Sequence, residues 1–332
     1  MTSDVFQINN LKCVVFLGAA SNLSSMLSIV EAKGLELIVV TSPAQVCELP
    51  KDISAHQFET LDDKFSAFIR DRVEIGRSLF ISLGARWIFR KAVIEDLLQG
   101  HLVNFHGSRL PFDAGGGGFS WRIMHRDRID NQLVHLVDEG VDSGPIIMHS
   151  ASLFPRSSHV PADFENYHRA EATKFFAAFL ERVLKGEALP LKRQVDYIGR
   201  YNPRLMTAKN GWIDWRWSSD QIETFVAAFD DPYSGASTLL NGEVVRIKKL
   251  QLHGGEPPNH PFMSGLVTRH DVGWIVVSTV DAYSIIIEEV LNEVGENILN
   301  KIRPGDRFVT DPEHLHDARA NRIRYGAKAV GE

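Results

Sequence analysis

The stretch KCVVFLGAASNLSSMLSIVEAKGLELIVVTSP, residues 12–43, reads as strand, helix, strand. Residues 12–18 form a short continuous apolar run of the kind buried on both faces, and residues 36–43 repeat it. Between them, a Ser/Asn-rich start at 19–22 and a stop at Gly34 bound a helix. Two such strands joined by a helix predict a parallel sheet. The turn GAASNL at 18–23 suits either an N-cap by Ser21 or Asn22 or a row of backbone N–H groups facing a phosphate. It lacks the spacing G-x-G-x-x-G, so a dinucleotide fingerprint is not supported.

Working outward, DDKFSAFIRDRV reads as an amphipathic helix, and SLFISLGARWI at 78–88 as a third strand running into a Gly-containing turn. A helix-like run, KAVIEDLLQ at 91–99, precedes the short apolar strand that ends at Leu102 and Val103. Asn104 and His106 come next, two residues apart, so in extended geometry their side chains project to the same side. In an open α/β sheet, ligands bind outside the carboxyl ends of strands, where this pair lies. The segment VDEGVDSGPII at 137–147 brings Asp142 on a Gly-flanked turn after another apolar run. An amide, an imidazole and a carboxylate from neighbouring strand ends can polarise a carbonyl, move a proton and hold the ring's charge. Taken alone, Asn-x-His also suits a turn residue beside a hydrogen-bonded histidine.

The longer pattern is more specific: N-x-H-x-S-x-L-P at 104–111, the glycine run 115–118, Trp121, and D-S-G-P-I-I at 142–147. It resembles the catalytic core of the formyltransferases that use 10-formyltetrahydrofolate, a family including methionyl-tRNA formyltransferase, glycinamide ribonucleotide transformylase and the enzymes that N-formylate nucleotide-linked amino sugars. The resemblance implies Asn104, His106 and Asp142 as the catalytic trio, with Ser108, Leu110 and Pro111 matching the motif after the histidine. It places the folate pocket at Leu83, Gly84, Ala85, Trp87 and Ile88, with Asp138 and Gly140 from the Asp142 turn. The GAASNL turn is similar to the phosphate-holding turn of glycinamide ribonucleotide transformylases. Two positions depart from the methionyl-tRNA type: Ala114 stands for its Arg, and Gly118 for its Pro. The acceptor side is therefore expected to differ while the trio is intact.

The remainder of the first region reads as two antiparallel strands around the Asp142 turn, with His135 on one of them facing core or crevice. A long amphipathic helix, PADFENYHRAEATKFFAAFLERVLKGE, then ends at Gly186. His101, His106, His125, His135 and His149 show no paired helical spacing, so no metal is expected. A helix at 218–229 and short strands punctuated by Asn241-Gly242, Gly254-Gly255, Pro257-Pro258 and Gly273 predict a small β-barrel-like unit. The stretch IDW…PYSGA resembles the second domain shared by methionyl-tRNA formyltransferase and the aminoarabinose-type sugar formyltransferases. The expected architecture is α/β: a Rossmann-like, mostly parallel sheet at 1–205, an OB-like barrel at 206–312, and a loose tail at 313–332.

The 332 residues are 44% hydrophobic and 23% charged, with a net charge of −6. A general nucleic-acid binder would carry a strong basic footprint, so no nucleic-acid partner is expected. Cys13 and Cys47 are the only cysteines, and free thiols are expected rather than a disulfide framework. MTSDVFQINN lacks the features of a signal peptide, and no apolar run approaches the roughly 20 residues that span a bilayer. The expectation is a cytoplasmic protein without a membrane partner, and a homodimer is compatible with it. With the family resemblance, these features imply a folate-dependent N-formyltransferase acting on a dTDP- or UDP-linked amino sugar, methionyl-tRNA being the alternative acceptor. Ser108, the glycine turn Gly115, Gly116 and Gly117, Ser120, and Tyr201, Asn202 and Arg204 at the domain junction are the expected acceptor contacts, Arg204 pairing with a pyrophosphate.

Overall fold

The structure is a computed structural model that describes residues 4–20, 22–116, 118–195 and 199–322. Ser21 and Gly117, both candidate site or cap residues, lie outside the described residues. The first region is built on a seven-stranded sheet: β1 (Cys13–Gly18), β2 (Glu36–Thr41), β3 (His56–Gln57), β4 (Ser78–Leu83), β5 (Leu102–His106), β6 (Ile129–Leu136) and β7 (Ile146–Leu153). Its order is β3-β2-β1-β4-β5-β6-β7. The first five strands pair in parallel, and β6 and β7 continue the sheet antiparallel.

The period of two along β1 explains the two layers that cover this sheet. Val14 and Phe16 turn to one face, where α1 (Leu23–Ala32) and α4 (Pro161–Leu184) contribute Met26, Val30, Phe176 and Phe179. Cys13, Val15 and Leu17 turn to the other, against Phe65 and Ile69 of α2 (Asp63–Arg72) and Ile94 and Leu98. Full burial of each such side chain contributes about 1.5–3 kcal/mol relative to leaving it in water. The run expected as a helix at 91–99 is a π-helical turn, Ala92–Leu97. Burial pushes the Cys13 thiol up to about 12, so it stays protonated inside the sheet, while Cys47 is an exposed free thiol. Asn22 stands at the α1 N-cap position but its side chain makes no capping bond.

The second region curls a six-stranded antiparallel sheet into a half-barrel. Its strands are β8 (Ala236–Leu240), β9 (Glu243–His253), β10 (Val267–Asp271), β11 (Trp274–Ser278), β12 (Ser284–Leu291) and β13 (Phe308–Val309), in the order β10-β11-β12-β9-β8-β13. The two edges approach where Leu266 bridges Arg307, flanked by backbone bonds from Val267 to Asp306 and from Phe308 to Gly265. The helix α5 (Ser219–Ala228) fills its open side with Ile222, Phe225 and Val226.

The half-barrel core reaches back into the first region, taking in Ile123 of α3 (Gly118–Met124), Phe154 after β7 and Phe164 at the start of α4. Residues on both sides of position 205 thus share one apolar cluster. Of the loose tail expected at 313–332, residues 323–332 lie outside the described residues, and the part before them is ordered. Residues Pro312–Ala320 form the helix α6, with Leu315 buried and Arg319 bonded to Asp214 (2.8 Å). Asp311 at the N-cap position and Pro312 behind it are a helix start that the sequence already carried.

Candidate active site

β5 places Asn104 and His106 at the carboxyl end of the parallel part of the sheet, and β6 runs beside it with His135 opposite Asn104. His135 Nδ1 lies 2.7 Å from the Leu136 carbonyl, which only accepts, so this nitrogen carries the proton. Burial favours the neutral ring and pushes the His135 pKa down, against the Leu136 bond and the charges of Asp142 and Asp138. Its Nε2 is therefore an acceptor, and Asn104 Nδ2 donates to it (3.1 Å). That bond uses one amide hydrogen of Asn104 and fixes the direction of the other.

His106 Nδ1 lies 3.7 Å from Asp142 Oδ1, and His135 Nε2 lies 3.8 Å from the same oxygen. The three residues expected as a trio are brought together, with His135 as a fourth member. Burial lowers the His106 pKa; Asp142 pulls it up, and His135, Arg122 and His168 push it down. The resting ring is thus neutral, and Asp142 is placed to stabilise its charge when it takes up a proton. His106 Nε2 is buried without a hydrogen-bond partner, as is Ser108 Oγ. A buried polar atom left unpaired costs about 1–3 kcal/mol unless something supplied from outside satisfies it.

The Asp142 turn is held from several sides. Asp138 Oδ1 accepts from Gly140 N (3.1 Å) and Ser143 Oγ (2.7 Å). Gln194 Nε2 donates to the carbonyls of Asp142 and Gly144, each at 2.8 Å. A Cβ on Gly144 would lie 1.8 Å from the Leu136 carbonyl, so only glycine fits there. Asp142 itself has φ +55, a left-handed conformation that this clamping maintains.

Two cavities meet at His106. One, about 420 Å³, is lined by Gly84, Ala85, Trp87, Ile88, Asn104, His135, Asp138, Gly140 and Asp142 among others. Ile88 and Val141 stand 80% and 86% exposed at its edge. The second, about 270 Å³, is lined by His106, Gly107, Ser108, Gly115, Gly116, Arg122, His168, Arg200 and Asn202 among others. Residues Arg200–Asn202 form a short parallel pairing with Asp113–Gly115, which pulls the junction segment against the glycine turn. Arg200 bonds Asp113 (3.1 Å), and Trp121 Nε1 donates to the Pro203 carbonyl (2.7 Å).

Several expected contacts sit elsewhere. Leu83 is buried in the sheet core instead of lining the first cavity, because β4 extends through it. Ser120 is 5% exposed and its Oγ donates to the Ala228 carbonyl (2.7 Å), tying α3 to α5 and turning away from the second cavity. Tyr201 is 61% exposed and lies outside the residues lining either cavity, since alternation along the short strand sends it outward from its neighbour Asn202. Arg204 packs its side chain against Gly116. His135 and Gln194 had no role assigned from the sequence, and a polar residue inside an apolar strand was the only signal for His135. Among the described residues, no group of three or more His, Cys, Asp or Glu side chains is placed to hold a metal ion. Nor is any described helix long and apolar enough to cross a membrane.

The formyl transferase C-terminal domain family matches residues 205–300. Methionyl-tRNA formyltransferase of Chloroflexus aurantiacus is 25% identical over 289 residues, spanning 82% of this chain and 90% of its own. Residues 205–300 are thus a formyl transferase C-terminal domain, and the chain as a whole is similar to formyltransferases. Among solved structures, an N-formyltransferase from Helicobacter canadensis, in complex with folinic acid and dTDP-3-aminofucose, shares the fold (TM-score 0.62, 15% identity, 84% of this chain and 99% of that one). So does a sugar 3N-formyl transferase solved with dTDP and 5-N-formyl-THF (TM-score 0.61, 15% identity, 84% and 98%). The class of activity is formyl-group transfer.

Proposed function

We propose that this formyltransferase-family enzyme moves the formyl group of N10-formyltetrahydrofolate to the primary amine of a nucleotide-linked amino sugar. The expected acceptor is dTDP- or UDP-linked, aminated at carbon 4, and its formamide would feed surface polysaccharide synthesis. The observation that carries the reading is the buried, unpartnered His106 Nε2 where two cavities meet. A transfer between two bound molecules needs one polar centre reached from two sides. The two solved sugar N-formyltransferases that share the fold were crystallised with a folate and a dTDP ligand, which supports this pair of ligand classes.

The cavity on the Asp142 side fits the folate: Ile88 and Val141 offer apolar edges, and the 84–88 and 138–142 segments offer backbone polar groups. The folate supplies an activated formyl group. The free amide hydrogen of Asn104 would bond the formyl oxygen and stabilise charge developing there, as an oxyanion-hole donor does. Neutral His106 accepts the proton that the attacking nitrogen sheds and passes it to the departing N10, and Asp142 stabilises the ring while it is charged. On the other side, Gly115, Gly116 and Ser108 let a sugar ring approach the backbone, and Asn202 and Arg200 border the same space.

Methionyl-tRNA is the second reading, because the Chloroflexus relative bears the name of that activity. Its phosphates would require many Lys and Arg contacts, and the net charge is −6. The deciding experiment is a thermal-shift panel of nucleotide-linked 3- and 4-amino sugars, followed by mass detection of the formyl adduct with 10-formyltetrahydrofolate. A melting-point rise and a formamide product are expected for a 4-amino sugar. Formylation of charged initiator tRNA, with no amino sugar modified, would replace this reading by the second.

A further inference from the structure

The cavity bordered by the glycine turn contains a second histidine that the formyl-transfer steps leave unused. His168 stands on α4, and its Nδ1 lies 2.7 Å from Oδ1 of Asp130 on β6. Asp130 is 0% exposed, and its other oxygen accepts from Gln132 Nε2 (2.9 Å). Gln132 Nε2 also donates to the His168 carbonyl (3.2 Å), tying β6 to α4. Burial pushes the Asp130 carboxyl up, but the His168 bond and charge, Gln132 and Arg122 outweigh it and hold the pKa below its ordinary value. Gln132 Nε2 also lies 2.8 Å from His168 Nδ1, but its two hydrogens go to Asp130 Oδ2 and the His168 carbonyl; an ionised carboxylate only accepts, so the proton of the His168 ring sits on Nδ1 and the lone pair on Nε2.

The Nε2 edge of that ring lies over Gly107, between His106 and Ser108. A Cβ at position 107 would come 2.7 Å from both Cε1 and Nε2 of His168. Only glycine at 107 leaves room for the ring edge there, and His168 and His106 line the same cavity. The other carboxylates there are engaged: Asp113 with Arg200 and Arg109, and Asp127 with the Ile129 backbone N–H. Asp142 lies on the folate side of His106. A buried aspartate, an imidazole with its tautomer fixed, and a lone pair facing the acceptor space form the arrangement of a general base.

Resting on the amino-sugar reading, we propose that His168 removes the proton of the acceptor's ammonium group before attack, with Asp130 as its positioning residue. The acceptor enters as R–NH3+, and His168 Nε2 takes one proton, leaving R–NH2 and an imidazolium paired with Asp130. The amine then bonds to the formyl carbon, the bond from that carbon to N10 breaks, and His106 carries the second proton from the attacking nitrogen to N10. His168 returns its proton to solvent through the cavity mouth. The sum is R–NH3+ plus formylfolate giving R–NHCHO, tetrahydrofolate and one released proton. The charged or titratable groups around His168 are Asp130 on β6, Arg122 on α3 and His106 on β5, with Glu165 and Glu171 a turn away on its own helix.

The test compares wild type with His168→Gln, which keeps a donor toward Asp130 but cannot take a proton, and with Asp130→Asn. The acceptor is the amino sugar that wild type formylates; if wild type formylates none, the amino-sugar reading fails first and is identified as the failure. At pH 7, His168→Gln is expected to lower kcat/KM by about 10²-fold, with its melting temperature and folate binding intact. The deficit should close as the pH rises through the acceptor amine's own pKa, because solvent then supplies R–NH2. Asp130→Asn should show a smaller deficit with the same recovery. Wild-type kcat/KM in His168→Gln, or a deficit unchanged across pH, overturns the proposal. Independently of turnover, 15N-histidine spectra should show His168 as the Nδ1–H tautomer in wild type; the Nε2–H tautomer would equally overturn it.

Discussion

The two cavities that share His106 are built in opposite ways. The wall on the Asp142 side is local: the turn after β4, the end of β5 and the 138–144 loop all belong to neighbouring strand ends of one sheet. The wall on the glycine-turn side is assembled from β5, α3, the middle of α4 and the segment at 200–202, which are distant in the sequence. A pocket made from adjacent strand ends inherits its geometry from sheet register. A pocket made from scattered elements changes whenever any one of them is substituted, and that difference suits a constant donor and a variable acceptor.

Substitutions can break this comparison. His106 belongs to both cavities, so His106→Ala should have the largest effect, a loss of about 10²-fold or more in turnover. Its melting temperature should hold, because Nε2 has no partner to lose; steady-state kinetics and a thermal melt check both halves. His135→Ala removes the acceptor that aims Asn104, and losing about 1 kcal/mol of directed hydrogen bonding corresponds to roughly fivefold in kcat. Single-turnover measurements should place that loss in chemistry, with acceptor binding unchanged.

Smaller effects separate the two sides. Gln194→Ala frees the Asp142 loop and should weaken folate binding alone, by about 1 kcal/mol, as titration calorimetry would register. Equal weakening for the acceptor would mean that the cavities are not independent. Arg200→Ala breaks a half-exposed pair with Asp113 and should cost at most about 1 kcal/mol of stability while raising the acceptor KM. Acid should act through the shared centre. Burial lowers the pKa of both His106 and His135, so the unfolded chain binds protons first as pH falls. Stability is therefore present above about pH 6.5 and drains away below it as the pH approaches the depressed values. Denaturant melts from pH 8 to 5 should show this loss, and His135→Ala should flatten it.

Much of the first cavity was legible because its signals are short-range. Asn104 and His106 share a strand face by alternation, and Asp142 stands in a Gly-flanked turn whose Gly144 admits no side chain. The misreadings arose where orientation depends on something remote. Ser120 comes just after the glycine run, yet α3 is rotated by its contact with α5 so that the hydroxyl meets Ala228. Leu83 stands beside pocket residues, yet the sheet core claims it. Gln194 clamps a loop some fifty residues earlier, a link that no local pattern announces. The helix Pro312–Ala320 was readable from Asp311 and Pro312, but its anchoring by Asp214 was not.

The sequence by itself determined the features that neighbours along the chain impose on one another: the βαβ opening, the alternation that aims Asn104 and His106 together, and the turn that carries Asp142. Tertiary structure decided everything that required two distant segments to meet. It set Asn104 against His135 through strand pairing, set Asp130 against His168 by docking α4 on β6, and brought residues 200–202 to the glycine turn. The physical reason is that dihedral preference and side-chain period act over a few residues. Hydrogen-bond partners and burial, which fix protonation and direction, depend on the groups that the folded chain places beside them.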